Sequence, residues 1–174
     1  RPCSDPTVEV MLARDTDSRL SKRERDAVEQ WLRSDRGFHI LRDHPQHRTP
    51  ILGGMWGAKA GVVPQMEQLA DRHMKGDYWQ VDQEFLRDIV YPIVRDRALV
   101  HDEFFENRPF PTPRQGLEFV GEADDEYDRP CPTAREELQA YLRSPWKLRP
   151  LRIRRTIAFR SLLTSFGKCC REIF

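Results

Sequence analysis

Two aspartates one residue apart, Asp15 and Asp17, follow the apolar run Val8-Glu9-Val10-Met11-Leu12-Ala13. Carboxylates at that spacing, on a short loop held by a strand end, suit one hard divalent cation such as Mg²⁺ or Mn²⁺. These ions take carboxylates and complete an octahedral shell with water and substrate phosphates. The chemistry implied is charge neutralisation on a diphosphate leaving group. Acidic residues also open loops and cap helices, and Asp17-Ser18 stands close to a helix start. Further polar chemistry gathers at Arg42-Asp43-His44-Pro45-Gln46-His47, at Asp82-Gln83 and at His101-Asp102.

The elements that must position these residues alternate between strand and helix patterns. Residues 8–13 read as a buried strand. Ser21-Lys22-Arg23-Glu24 has the capping-box pattern, followed by Ala27, Val28, Trp31 and Leu32 on one helical face. Ser34 to Gly37 break that helix, and Phe38 to Leu41 read as a second strand running into the polar loop 42–47. Gly53-Gly54-Met55-Trp56-Gly57 permits close backbone approach. A helix is expected over Val63 to His73, starting at Pro64, with Met66, Leu69 and Ala70 inward. Asp82 is a candidate N-cap for a helix burying Phe85, Leu86, Ile89 and Val90 and stopping near Tyr91-Pro92. Ala98 to His101 read as a short strand. This alternation predicts an α/β domain.

From Glu103 the character changes. Asn107 to Arg114 is proline-rich, Gly121 to Pro132 is acidic and turn-like, and Ala134 to Leu142 suits a short helix. The segment from Trp146 to Phe174 is basic, with Phe159, Leu162, Leu163, Phe166 and Cys170 at helical spacing. The expected organisation is a catalytic region over 1–122 and an acidic linker with a basic amphipathic helical tail over 123–174.

A chain of 174 residues suits one domain. Its charged fraction of 33% and net charge of +1 give a polar surface without the basic footprint of a nucleic-acid binder. Cys3, Cys131, Cys169 and Cys170 form no zinc-type spacing, which favours a reducing compartment. No apolar run approaches the ~20 residues of a membrane span. The chain begins Arg1-Pro2-Cys3 without a methionine, as expected of a processed chain or one cut from something longer.

Taken in order, Arg14-Asp15-Thr16-Asp17-Ser18-Arg19, Gly53-Gly54-Met55-Trp56-Gly57, Val81-Asp82-Gln83-Glu84 and Leu99-Val100-His101-Asp102 resemble the metal-dependent glycosyltransferases of the GT-A fold. The resemblance covers roughly residues 8–122. It implies a mixed sheet flanked by helices, with Asp15 and Asp17 as the Asp-x-Asp ligands of Mn²⁺ or Mg²⁺ and His101 as a third ligand. It implies Asp82 and Gln83 near the reacting sugar carbon. With inversion of configuration a carboxylate must remove the acceptor proton, and Asp82 or Asp43 is the candidate base; with retention the diphosphate itself takes it. Gly53, Gly54 and Trp56 would form the sugar and acceptor side, and Arg14 and Arg19 would contact phosphates. Such enzymes carry a nucleotide-binding βαβ half before the Asp-x-Asp, and here only seven residues precede the strand. The expectation is therefore a GT-A-like chain lacking most of that half.

The partners implied are a nucleotide-sugar donor and a glycan or lipid-linked acceptor, in the cytoplasm or at the inner face of a membrane. Lys147, Arg149, Arg152, Arg154, Arg155 and Arg160 flank apolar residues, as in a helix lying on an anionic surface. A terminal helix packed on the domain accounts for the same pattern. Two alternatives stand beside the enzyme reading. One is a non-catalytic binding domain derived from such an enzyme, and the other is a metal-dependent phosphohydrolase using Asp43, His44 and His47.

Overall fold

The structure is a computed structural model that describes residues 2–144 apart from Asp77 and Trp79. The basic tail, with its expected helix and membrane contact, lies outside the described residues. Strands β1 (Val10–Arg14), β2 (Phe38–Arg42), β3 (Met55–Lys59) and β4 (Ala98–Asp102) form one mixed sheet in the order β1-β3-β2-β4. Strand β3 runs antiparallel to β1 and β2, and β2 is parallel to β4. Strands β1, β2 and β4 therefore point the same way. Their carboxyl ends and the start of β3 share one edge of the sheet, where open α/β sheets commonly bind ligands.

Side chains alternate between the two faces of the sheet. One face buries Phe38, Ile40, Trp56, Ala58, Ala98 and Val100 beneath Met66, Phe85, Leu86, Val90 and Val94. The covering residues come from helix α2 (Met66–His73) and from helix α3 (Val81–Phe85), which continues through a π-turn, Leu86–Val90, into α4 (Tyr91–Val94). In that turn the Tyr91 N–H reaches back to the Leu86 carbonyl. Pro92 has no N–H to give and crowds the preceding turn, and widening the helix there lets it continue. It therefore runs past the stop expected near Tyr91-Pro92.

The opposite face carries His39, Leu41, Met55 and Gly57 beneath helix α1 (Lys22–Arg33), whose Ala27 and Trp31 are fully buried. A Cβ on Gly57 would meet Leu12 Cδ2 at 2.8 Å and Trp31 Cζ3 at 3.0 Å, so only glycine lets the helix lie this close. Helix α1 starts where the capping box places it, with the Glu24 N–H donating to Ser21 Oγ at 3.1 Å. The Glu24 carboxylate does not return the bond. It pairs with Arg14 instead and ties the helix to β1.

Strand β1 is an edge strand, where the sequence suggested a buried one. Helix α1 covers β3, β2 and β4 and leaves Val10 and Leu12 40% and 44% exposed. Beyond β4, helix α5 (Pro132–Arg143) packs Leu138 with Phe104, Phe105 and Phe119, across the boundary at 122 drawn from composition. Among the described residues no helix is long and apolar enough to cross a membrane.

Candidate functional site

Three segments meet at the carboxyl edge: the loop after β1, the turn Leu52–Met55 before β3, and the first turn of α3. Gly54 is buried, and a Cβ there would overlap the Asp15 carboxylate. A Cβ on Gly53 would lie 3.0 Å from Asp82 Oδ2 and 3.6 Å from Gln83 Nε2. The two glycines thus allow both acidic side chains to rest directly on backbone. The turn is closed by the Met55 N–H to the Leu52 carbonyl at 3.2 Å, and Trp56 Nε1–H donates to the Gly53 carbonyl at 2.9 Å. The Gln83 amide reaches the Ile51 carbonyl at 3.4 Å. On the other side, the Ser18 N–H closes onto the Asp15 carbonyl at 3.3 Å, and the Asp124 N–H donates to the Asp17 carbonyl at 2.8 Å.

Asp82 is not the N-cap. That position belongs to Gln80, whose φ of 92° is left-handed and whose side chain makes no capping bond. Asp82 stands two positions further in, with its carboxylate free of the capping duty the sequence suggested. Asp15, Asp17 and Asp82 are all exposed residues, and none is ion-paired among the described residues. The Asp15 carboxyl is raised above its ordinary pKa. Its packing against the chain is the main cause, the charges of Asp17 and Asp82 add to it, and Arg14 opposes it.

Uncompensated hard oxygen donors, one of them lodged in a glycine cradle, fit a hard divalent cation. Among the described residues no three His, Cys, Asp or Glu side chains gather into a metal cage. A bound ion would therefore take one or two of these carboxylates and complete its shell with water and phosphate oxygens, as Mg²⁺ commonly does.

The other residues expected at the site are engaged elsewhere. His101, the expected third ligand, is buried on β4 with both ring nitrogens bonded, Nδ1 to His39 Nε2 at 2.8 Å and Nε2 to Gln30 Oε1 at 2.9 Å. No nitrogen is left for a metal. Burial, with Arg23 nearby, pushes the His101 pKa down to about 4. Burial, His101 and Arg14 push His39 down to about 2. Asp43, the alternative base, is fully buried and has its oxygens occupied. Arg23 grips it through two bonds of 2.9 Å, Arg114 adds one of 2.5 Å, and the Val120 N–H donates at 2.9 Å. Asp43 is a hub of the scaffold, not an acceptor for a substrate proton.

Arg14 pairs with Glu24 and donates to the Trp56 carbonyl at 3.0 Å, while its Nη2 is buried with no hydrogen-bond partner among the described residues; Arg19 donates to Asp128 at 2.6 Å in an exposed pair, so both guanidiniums already have a carboxylate partner. Trp56, expected as a sugar platform, lies in the core stacked on Phe38, with ring centroids 5.3 Å apart. His44 and His47 serve their own loop. His44 Nδ1 accepts from the Gln46 N–H at 3.1 Å and its Nε2 meets the Ala134 carbonyl at 2.9 Å, while His47 Nδ1 accepts from the Asp43 N–H at 3.0 Å. A phosphohydrolase centre on Asp43, His44 and His47 has no support in this arrangement.

Sequence reasoning missed Arg23, Arg114 and His39. Arg23, Ala27 and Trp31 are spaced by four on the buried stripe of α1, and that spacing was the available signal for Arg23. His39 alternates inward with Leu41 in a strand that is buried throughout. Compared with known proteins, the chain matches no family model, no curated protein and no solved structure.

Proposed function

We propose that this chain is the metal- and acceptor-side part of a divalent-metal glycosyltransferase, arranged as part of a GT-A fold. It moves a sugar from a nucleotide-sugar donor to a glycan or lipid-linked acceptor. The observation that carries this reading is the meeting of Asp15, Gly54, Gly53, Asp82 and Gln83, from three separate segments, with the acidic groups left unpaired. Structural carboxylates in this chain, such as Asp43 and Asp102, are buried and paired with arginine.

Asp15 and Asp17 would hold Mn²⁺ or Mg²⁺, and the bound ion supplies neutralisation of the charge on a departing diphosphate. Asp82, exposed and not spent on capping, is the base for the acceptor hydroxyl if the reaction inverts configuration. Gln83 offers an amide on the sugar side of the same helix turn. The turn Gly53-Gly54 lets substrate approach backbone closely.

The test is a thermal-shift titration of the chain with UDP and GDP, in Mn²⁺ and in EDTA, beside an Asp15→Ala/Asp17→Ala variant. A ligand at 100 times its Kd stabilises the native state by about 2.7 kcal/mol, which raises Tm by roughly 5–10 °C for a chain of this size. The proposal predicts that rise with at least one nucleotide, only with metal, and lost in the variant. A folded chain that responds to neither nucleotide in Mn²⁺ would overturn the enzyme reading and favour a binding domain.

A further inference from the structure

Trp56 is 8% exposed and belongs to the core, yet its one polar atom is directed at the site edge. The indole Nε1–H donates to the Gly53 carbonyl at 2.9 Å, while the ring is held flat on Phe38 with only 10° between planes. Gly53 rests against Asp82 and Gln83, and Gly54 rests against Asp15. Two adjacent glycines are the stretch of backbone with the widest conformational freedom at this edge. One other bond, from the Met55 N–H to the Leu52 carbonyl at 3.2 Å, closes the turn. A rigid, buried ring bonded to the first glycine removes most of the remaining freedom.

We infer that Trp56 is a positioning residue: its indole N–H fixes the Gly53-Gly54 turn, and the turn places the Asp15 carboxylate to hold the divalent cation and Asp82 beside it. This rests on the metal-site reading proposed above. The indole touches neither the cation nor the substrate. It acts only through the turn, and its stacking on Phe38 is a separate packing role.

The two roles separate in a Mn²⁺ titration of the full chain followed by broadening of the Gly53, Gly54 and Gln83 amide NMR signals. Trp56→Phe keeps an aromatic ring on Phe38 and removes the N–H. Loss of one neutral hydrogen bond predicts a Mn²⁺ midpoint raised about tenfold. Phe38→Leu loosens the same packing but keeps the N–H, and should lower Tm while leaving the midpoint unchanged. An unchanged midpoint in Trp56→Phe overturns the inference and leaves the metal site standing. Equal displacement of the midpoint in both variants also overturns it, because packing alone then accounts for the effect. Wild-type signals that stay sharp in Mn²⁺ overturn the metal-site reading and this inference with it. Should Trp56→Phe fail to fold, the wild-type Trp56 indole signal must shift as Mg²⁺ saturates the site, and a signal unmoved at saturation overturns the inference.

Discussion

Acidification from about pH 7.5 to about pH 5 should cost the fold roughly 4 kcal/mol through the buried His39–His101 pair alone. The two rings share one proton across 2.8 Å, and Gln30 Oε1 accepts the His101 Nε2–H, which makes His101 Nδ1 the acceptor and His39 Nε2 the donor. A second proton would place an imidazolium in the interior, facing Arg14 beside His39 and Arg23 beside His101. Burial and these charges hold the folded values at about 2 and about 4, against an ordinary 6.5. Depressed histidines contribute stability that is complete above the unfolded value of 6.5. It is lost as pH falls toward about 4, where His101 charges in the fold. Each unit of pH below 6.5 costs about 1.4 kcal/mol per histidine, hence about 2 kcal/mol each at pH 5. His44 and His47, also lowered by burial, act in the same direction, while Asp15 and Asp43, which burial raises, act with the opposite sign. Urea unfolding followed by tryptophan fluorescence at several pH values measures the loss. A His101→Gln variant should lose about 2 kcal/mol less than the wild type on acidification to about pH 5. Equal unfolding free energies at pH 5 and pH 7.5, or a variant with the wild-type slope, would refute the reasoning.

Gly54→Ala introduces a Cβ that overlaps the Asp15 carboxylate. It should cost about 1–3 kcal/mol by overpacking and abolish the Mn²⁺ response of a thermal-shift assay, and an unaffected Mn²⁺ midpoint would count against the geometry. Asp43→Asn leaves the buried Arg23 and Arg114 charges short of their shared partner. A loss of about 3–5 kcal/mol in urea unfolding is expected, while a loss below about 1 kcal/mol would show that Glu103 alone balances them. Ser21→Ala removes the acceptor of the Glu24 N–H and should lower stability by about 1 kcal/mol, read by the same assay.

Local signals in the sequence were sufficient for several elements. The capping box located α1, the mostly apolar stretch Phe38 to Leu41 after the helix break located β2, and the apolar run before His101 located β4. Strand β3 was hidden because Met55-Trp56-Gly57-Ala58-Lys59 carries a glycine where a strand former is usual, and the glycine is there to admit Trp31 from a helix far away in sequence. The continuation of α3 through Pro92 depends on a widened turn that no local rule specifies. The edge position of β1 follows from strand order, which its apolar composition does not encode. At the site, the spacing of Asp15 and Asp17 and the glycine pair were legible, and Asp82 stood out as a polar residue at a helix start. What spacing alone does not reveal is occupancy by neighbours. His101, Asp43, Arg14 and Arg19 have the right chemistry for a catalytic site, but tertiary contacts engage them elsewhere: His39 and Arg23 occupy His101 and Asp43, and Glu24 and Asp128 pair with the two arginines.

The most direct test of the central claim is anomalous diffraction from crystals of the full chain grown with Mn²⁺ and UDP or GDP. A cation at the carboxyl edge should give an anomalous peak within about 2.0–2.2 Å of an Asp15 carboxylate oxygen, with the diphosphate completing its shell. A carboxyl edge without an anomalous peak at saturating metal and nucleotide, or a peak held instead by His44 and His47, would contradict it.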